Sequence, residues 1–155
     1  MNLDKQISNF INNAPKYGIT KQEVALVAPV LKNFALELKH LQYYILQSSE
    51  QHWLITTLSK RNAPDLQKNV VYAFPSHRDA VIFPTLQNTP FIPKKLLIID
   101  ILSQLLAISA IDSIVFFEVS GNFNTGTEVS RQNLLNTINR YLQQYNSPQI
   151  PPDLA

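Results

Sequence analysis

Polar side chains that could form a reactive site lie together at His77, Arg78 and Asp79. A histidine and a carboxylate beside a basic residue, in a turn between two predicted strands, would form a polar site at one end of a sheet. Glu118 and Asp100 stand in apolar stretches, where burial raises the pKa of a carboxyl group and suits it to acid or base chemistry. The competing interpretation is that both carboxylates point outward or cap a helix. These five residues are polar-site candidates, and none is assigned a catalytic role.

Metal, thiol and nucleotide chemistry has no support in residue types or spacing. The chain has no cysteine and three glycines, so neither a thiolate site nor a glycine-rich phosphate loop can be written. His40, His52 and His77 lack a metal-binding spacing such as His-Glu-x-x-His. We therefore predict no metal and no cofactor, and we favour a protein without catalytic activity.

Basic residues concentrate between residues 60 and 95, although the net charge of the whole chain is only +2. If these side chains converge in space, they would bind an anionic partner. Otherwise they are solvated charges on loops and helix ends. The small net charge argues against nucleic acid as the partner. The anion-binding candidates are Lys60, Arg61, Lys68, Lys94 and Lys95.

Aromatic residues recur on neighbouring predicted strands, at Tyr43, Tyr44, Trp53 and Tyr72. Because side chains alternate between the faces of a sheet, some of these rings point away from any helix layer. An uncovered aromatic face would suit a protein partner or a second copy of the chain. The alternative, that a helix or the C-terminal tail covers that face, stays open. These four residues are the interaction-face candidates.

Two amphipathic helices are predicted at the beginning of the chain. An apolar i, i+4, i+7, i+8 stripe begins at Leu3 and ends before Pro15. Thr20 and Glu23 then form a capping box, and apolar residues follow at three- and four-residue spacing for about five turns. Pro29 removes a backbone donor inside this second helix, which predicts a kink or a short break.

The apolar pattern then changes to the two-residue period of strands. Four strands joined as an antiparallel meander are predicted, followed by a loop, an apolar helix, an interior strand, a turn and a last helix. The apolar helix has one narrow stripe that interrupts its apolar surface. The stripe consists of Asp100, Ser103, Gln104 and Ala107. The predicted ranges are strands 40–47, 52–58, 69–74 and 80–83, loop 84–93, helix 94–111, strand 113–120, turn 121–126 and helix 127–145.

The resulting order, α-α-β-β-β-β-α-β-α, predicts an α+β domain with two layers, in which helices pack on an antiparallel sheet of about five strands. We assign residues 1–146 to this domain and residues 147–155 to a Pro-rich C-terminal tail. The first residues do not form a signal peptide, and the most apolar stretch, 96–111, is too short and too polar to cross a bilayer. Without cysteine, the chain is expected in the cytoplasm.

These patterns do not predict a group of polar side chains that meet in one place. The leading hypothesis is therefore a non-catalytic interaction or regulatory protein that binds another protein or itself. The first alternative is a small-ligand-binding protein or an enzyme that uses the polar site around His77, Arg78, Asp79 and Glu118. The second alternative is an anion or nucleic-acid binder that uses the basic segment 60–95. These hypotheses differ in whether the candidate side chains meet in one place.

Overall fold

A computed structural model describes residues 1–17, 20–60, 62–83 and 90–146, so the predicted tail 147–155 lies outside the described residues. The helices are α1 (Leu3–Asn13), α2 (Lys21–Leu36), α3 (His77–Ile82), α4 (Ile98–Ala107) and α5 (Arg131–Asn146), and Ala14–Tyr17 forms a 3-10 turn. The strands are β1 (Gln42–Gln47), β2 (Thr56–Lys60), β3 (Ala63–Phe74), β4 (Ile92–Leu97), β5 (Ser113–Phe117) and β6 (Gly126–Ser130).

The two N-terminal helices confirm the predictions made from capping and periodicity. The side chain of Asn2 accepts a hydrogen bond from the backbone amide of Lys5 at the start of α1. The Thr20 hydroxyl accepts one from the amide of Glu23 at 3.1 Å, which is the N-cap hydrogen bond of the predicted capping box. Helix α2 continues through Pro29 without a break and ends at Leu36.

The α+β class is confirmed, and the sheet is mostly antiparallel. Its strand order is β4-β1-β3-β5-β6, with β2 paired to β3 beyond the end of β1. Strands β3 and β5 are parallel, with Val70 opposite Ser113 and Ala73 opposite Phe116. A parallel pair needs a crossover connection, and here the chain passes through α3, β4 and α4 between the two strands.

The predicted four-strand meander was wrong, because residues 80–82 belong to α3, which ends before Phe83, and not to a strand. The Ser76 hydroxyl accepts a hydrogen bond from the amide of Asp79 at 3.1 Å and caps this short helix. Strand β1 pairs with β3 and β4, whereas an isolated bridge between Gln47 and Trp53 links it to the segment before β2. Strands β2 and β3 pair with each other, with Thr56 opposite Val70 and Lys60 opposite Ala63.

Two predicted helices each begin with a strand in the structure. Residues 94–97 complete the edge strand β4, and the apolar helix starts only at Ile98. Residues 127–130 complete β6, and α5 starts after Ser130, whose hydroxyl accepts from the amide of Asn133. Strand and helix follow each other with no loop between them, so the sequence contains no turn signal at either boundary.

The main core lies between one face of the sheet and helices α1, α2, α4 and α5. Strand β5 is interior, as predicted, and sends Ile114 and Phe116 into this core with no exposed surface. The other face carries α3 and a smaller apolar cluster around Phe74 and Phe117. Helices therefore cover the two faces unequally, and the two-layer description holds for the main core.

Candidate functional site

The His77-Arg78-Asp79 triplet forms the first turn of α3, and its three side chains take different directions. Asp79 is 2% exposed, and its two carboxylate oxygens accept hydrogen bonds from the amide of Gly121 at 3.1 and 3.3 Å. The imidazole of His77 meets the ring of Tyr44 edge-on at 5.7 Å, and Arg78 is exposed. Asp79 thus ties α3 to the loop after β5.

Glu118 is also occupied by structural hydrogen bonds. One carboxylate oxygen accepts from the backbone amide of Lys39 at 2.8 Å, and the other accepts from the Tyr43 hydroxyl at 2.9 Å. The ring of His40 contacts the Glu118 carbonyl oxygen at 2.8 Å. Burial, followed by the negative charge of Glu118, raises the pKa of Tyr43. These contacts fix the loop after α2 to the end of β5.

Asp79 and Glu118 are therefore held by separate partners on opposite sides of the sheet. Side chains alternate along β5, so Phe116 enters the main core and Phe117 enters the smaller cluster. Glu118 follows on the side of Tyr43, whereas Asp79 belongs to the helix that packs on the other face. The predicted polar-site residues do not share a cavity among the described residues.

The four aromatic candidates are divided between the two apolar clusters. Tyr43 and Trp53 are buried in the main core, at 0% and 7% exposure. Tyr44 and Tyr72 are partly buried on the other face, where Tyr72 stacks on Phe117 at 5.6 Å between ring centroids. Burial raises the pKa of the Tyr72 hydroxyl. These rings pack the fold and do not form one exposed face.

The basic candidates that the structure describes do not converge either. Lys68 forms an ion pair with Glu128, which lowers the pKa of that carboxyl group. Lys94 and Lys95 belong to the edge strand β4 and pair with Ile45 and Tyr44 of β1. Because they are consecutive in the strand, their side chains point to opposite faces of the sheet. Lysines on an edge strand oppose pairing with another sheet, which gives them a structural role. Arg61 and the Lys60 side chain lie outside the described residues.

A large groove lies among the helices of the main layer and has a volume of about 1070 Å³. Its walls come mainly from α2 and α4, with residues from α1, the turn after it and α5 at the edges. The lining is mostly apolar. The groove is lined by Phe10, Asn13, Ala14, Glu23, Val24, Leu26, Val27, Leu31, Asp100, Ser103, Gln104, Leu106, Ala107 and Leu142.

The narrow polar stripe predicted for the apolar helix lies in this groove. Asp100, Ser103 and Gln104 are spaced i, i+3 and i+4, so they lie on one face of α4, and all three line the groove. Asp100 is an exposed residue, yet partial desolvation of its carboxylate in the groove raises its pKa. In the part of the chain that the structure describes, no hydrogen bond or ion pair engages that carboxylate.

Sequence reasoning identified the stripe and Asp100 but missed the groove. The pattern of α4 shows which residues are polar, but the concave surface depends on how α1, α2 and α5 are placed around α4. The capping box did identify Glu23, as a residue at a helix start and not as part of a binding surface. A spacing pattern within one helix contains no information on the gap between two helices.

Within the described ranges, no group of three or more His, Asp or Glu side chains is placed to hold a metal ion. No helix in these ranges is both long and apolar enough to span a bilayer. Comparison of the chain with protein-family models, with curated proteins and with solved structures found no match.

Proposed function

We propose that this protein is a non-catalytic binding protein, which holds an apolar segment of another protein in the groove between α2 and α4. The observation that carries the proposal is the groove itself, which has a volume of about 1070 Å³ and a mostly apolar lining beside one polar stripe. A concave, mostly apolar surface with a few polar side chains is the usual form of a binding site. The proposal keeps the interaction function predicted from the sequence and places it on the helix layer instead of the sheet face.

The contacts of the polar candidates support binding over catalysis. General acid or base chemistry needs side chains within hydrogen-bond reach of a common substrate. Asp79 accepts from Gly121, and Glu118 accepts from Lys39 and Tyr43, so both carboxylates already serve to hold backbone segments. These structural hydrogen bonds account for both carboxylates without a reaction.

The form of the groove favours a protein segment over a small molecule. Its volume of about 1070 Å³ lies just above the roughly 300–1000 Å³ that is typical of sites for drug-sized ligands. Helix-in-groove recognition uses an apolar floor flanked by polar residues, and the stripe Asp100, Ser103 and Gln104 provides such a flank along α4. An amphipathic helix is the partner element that matches this combination. We place this binding in the cytoplasm, because a chain without cysteine has no disulfide to form elsewhere.

The proposal is tested with a phage-displayed library of amphipathic helical peptides, selected on the immobilised protein. Selected peptides are then titrated by fluorescence anisotropy against the wild type and two variants. Ala107→Trp places a large ring in the groove, whereas Ala25→Trp places the same ring at an exposed position of α2 that does not line the groove. We expect Ala107→Trp to weaken binding by about tenfold or more and Ala25→Trp to leave it unchanged.

Equal binding by both tryptophan variants would contradict the groove as the site. Light scattering on the unbound protein addresses the second possible occupant, another copy of the chain. A dimer that Ala107→Trp converts to a monomer would identify the second copy as the partner that fills the groove. A monomer at high concentration would leave a different protein as the partner.

A further inference from the structure

We propose that the groove selects apolar helical segments that carry lysine or arginine beside their apolar face, with Asp100 and Glu23 as the anchoring carboxylates. This inference rests on the proposed function and adds the chemical class of the partner. The charged residues among the described groove lining are Glu23 and Asp100, and both are acidic. They belong to different helices, so each main wall of the groove contributes one negative charge.

The charged side chains of the groove are negative, whereas the net charge of the whole chain is positive. The whole sequence has a net charge of +2, yet this mostly apolar groove is lined by two carboxylates and by no basic residue of the described chain. General attraction by the protein surface would therefore not favour a cationic partner. A cationic partner is selected by charge complementarity within the groove itself. Opposite charges fix the register of the partner helix in the groove and exclude partners with the wrong charge.

Asp100 is the stronger of the two anchors. Asp100 lines the mostly apolar groove, and its carboxylate has no hydrogen-bond or ion-pair partner among the described residues. Burial raises its pKa, so the charged form is destabilised in the unbound protein. An incoming ammonium or guanidinium group would remove that penalty, and the carboxylate would gain more from a cation than a fully solvated one does.

The neutral polar residues of the stripe complete the fit to such a partner. Ser103 and Gln104 lie one turn along α4 from Asp100 and line the same groove. The Ser103 hydroxyl donates to the Asp100 carbonyl oxygen at 2.8 Å, so its lone pairs remain able to accept a hydrogen bond. A lysine or arginine that reaches Asp100 therefore finds further acceptors beside it.

The test uses two designed helical peptides with the same leucine positions at i, i+3, i+4 and i+7. One carries lysine on the flanks of the leucine face, and the other carries glutamate at those positions. Both are titrated by fluorescence anisotropy against the full-length wild type and its Asp100→Asn and Asp100→Lys variants. Asp65→Asn, at an exposed position of β3 outside the groove, is the matched control.

We expect the wild type and Asp65→Asn to bind the lysine peptide more tightly than the glutamate peptide. Asp100→Asn is expected to weaken binding of the lysine peptide by about three- to tenfold and to leave the glutamate peptide unchanged or tighter. Asp100→Lys is expected to reverse the preference. The glutamate peptide serves as the folding control, because a variant that still binds it has kept its groove. Raising the salt concentration should reduce the difference between the peptides.

The failure of this inference is distinguishable from the failure of the proposed function. Equal binding of the two peptides by the wild type, with both blocked by Ala107→Trp, would overturn charge selection and leave the groove as the binding site. Binding that Ala107→Trp does not weaken, or no binding of either peptide, would overturn both proposals.

Discussion

The backbone amide of Gly121 donates to both carboxylate oxygens of Asp79, at distances of 3.1 and 3.3 Å. Asp79 is almost fully buried at the start of α3, and Gly121 lies in the loop between β5 and β6. Because α3 is only six residues long, it has little stability of its own. This contact therefore holds α3 against the end of the sheet.

Replacement of Asp79 by alanine should lower the free energy of unfolding by about 1–3 kcal/mol, because it leaves a partly buried amide of Gly121 without an acceptor. Asp79→Asn retains one acceptor oxygen and should cost less. Urea denaturation measures both variants. Asp65→Ala, at an exposed position of β3, is the control and should change stability by less than about 0.5 kcal/mol. Equal effects of Asp79→Ala and Asp65→Ala would contradict this role.

Gly121 and Gly126 are both required, but for different reasons. Gly121 has a φ of +82°, and no atom lies within 4 Å of an added Cβ, so the constraint there is the left-handed backbone. At Gly126 an added Cβ would lie 2.9 Å from Val115 Cγ1 and 3.1 Å from the Phe116 carbonyl oxygen, so the constraint is space. Alanine should cost about 1–2 kcal/mol at Gly121 through strain and about 1–3 kcal/mol at Gly126 through overpacking.

Asparagine separates these two causes, since it tolerates the left-handed region better than alanine does. Gly121→Asn should therefore be more stable than Gly121→Ala in urea denaturation, whereas Gly126→Asn should be no more stable than Gly126→Ala. The opposite ranking at Gly121 would exclude backbone strain as the reason for glycine there.

Removal of the Tyr43 hydroxyl should destabilise the protein by an amount that depends on pH. Tyr43→Phe loses the hydrogen bond to Glu118 and should cost about 1–2 kcal/mol at neutral pH. The pKa of Tyr43 is raised in the folded protein, so the unfolded chain loses its tyrosine proton first as pH rises. The contribution of the Tyr43 hydroxyl to the free energy of unfolding is therefore fully present below about pH 10 and is lost as pH rises above it.

The stability difference between wild type and Tyr43→Phe should therefore shrink above about pH 10, and urea denaturation at about pH 8 and about pH 11 measures it. Tyr44→Phe provides the comparison at a neighbouring tyrosine that makes no hydrogen bond to Glu118. A difference between wild type and Tyr43→Phe that stays constant across this range would contradict the raised pKa.

The parts of the fold that the sequence predicted are those with a local cause. Thr20 and Glu23 mark the start of α2 by side-chain chemistry, and the apolar run of β5 marks an interior strand by having no polar face. Helix α3 was missed because an apolar run of four residues suits a strand as well as a helix. Its cap, Ser76 with Asp79 three residues later, is the signal that distinguishes the two.

The parts that could not be predicted depend on contacts between distant segments. The parallel pairing of β3 with β5 requires the crossover through α3, β4 and α4, and the residues of either strand contain no signal for it. For the candidate site, the sequence identified Asp100 and its stripe, but the groove around Asp100 exists because α2 lies beside α4. The role proposed for that stripe depends on this tertiary arrangement.

Asp100 should decrease the stability of the unbound protein near neutral pH. The helix dipole favours a negative charge in the first turn of α4, but the pKa of Asp100 is raised, so desolvation outweighs the dipole. Because the folded protein holds this proton to a higher pH than the unfolded chain does, stability from this group falls as pH rises from about 4 through the raised pKa.

Asp100→Asn should therefore be more stable than wild type at neutral pH, by a few tenths of a kcal/mol, because part of the residue remains exposed and solvent reduces the effect. Thermal denaturation at about pH 7 and about pH 3 measures the difference, which should vanish at the lower pH, where wild-type Asp100 is protonated in both states. Glu23→Gln is the control on the other wall of the groove. A loss of stability in Asp100→Asn at neutral pH would mean that the carboxylate already has a partner in the unbound protein, and the groove would then lack the free charge that its proposed partner requires.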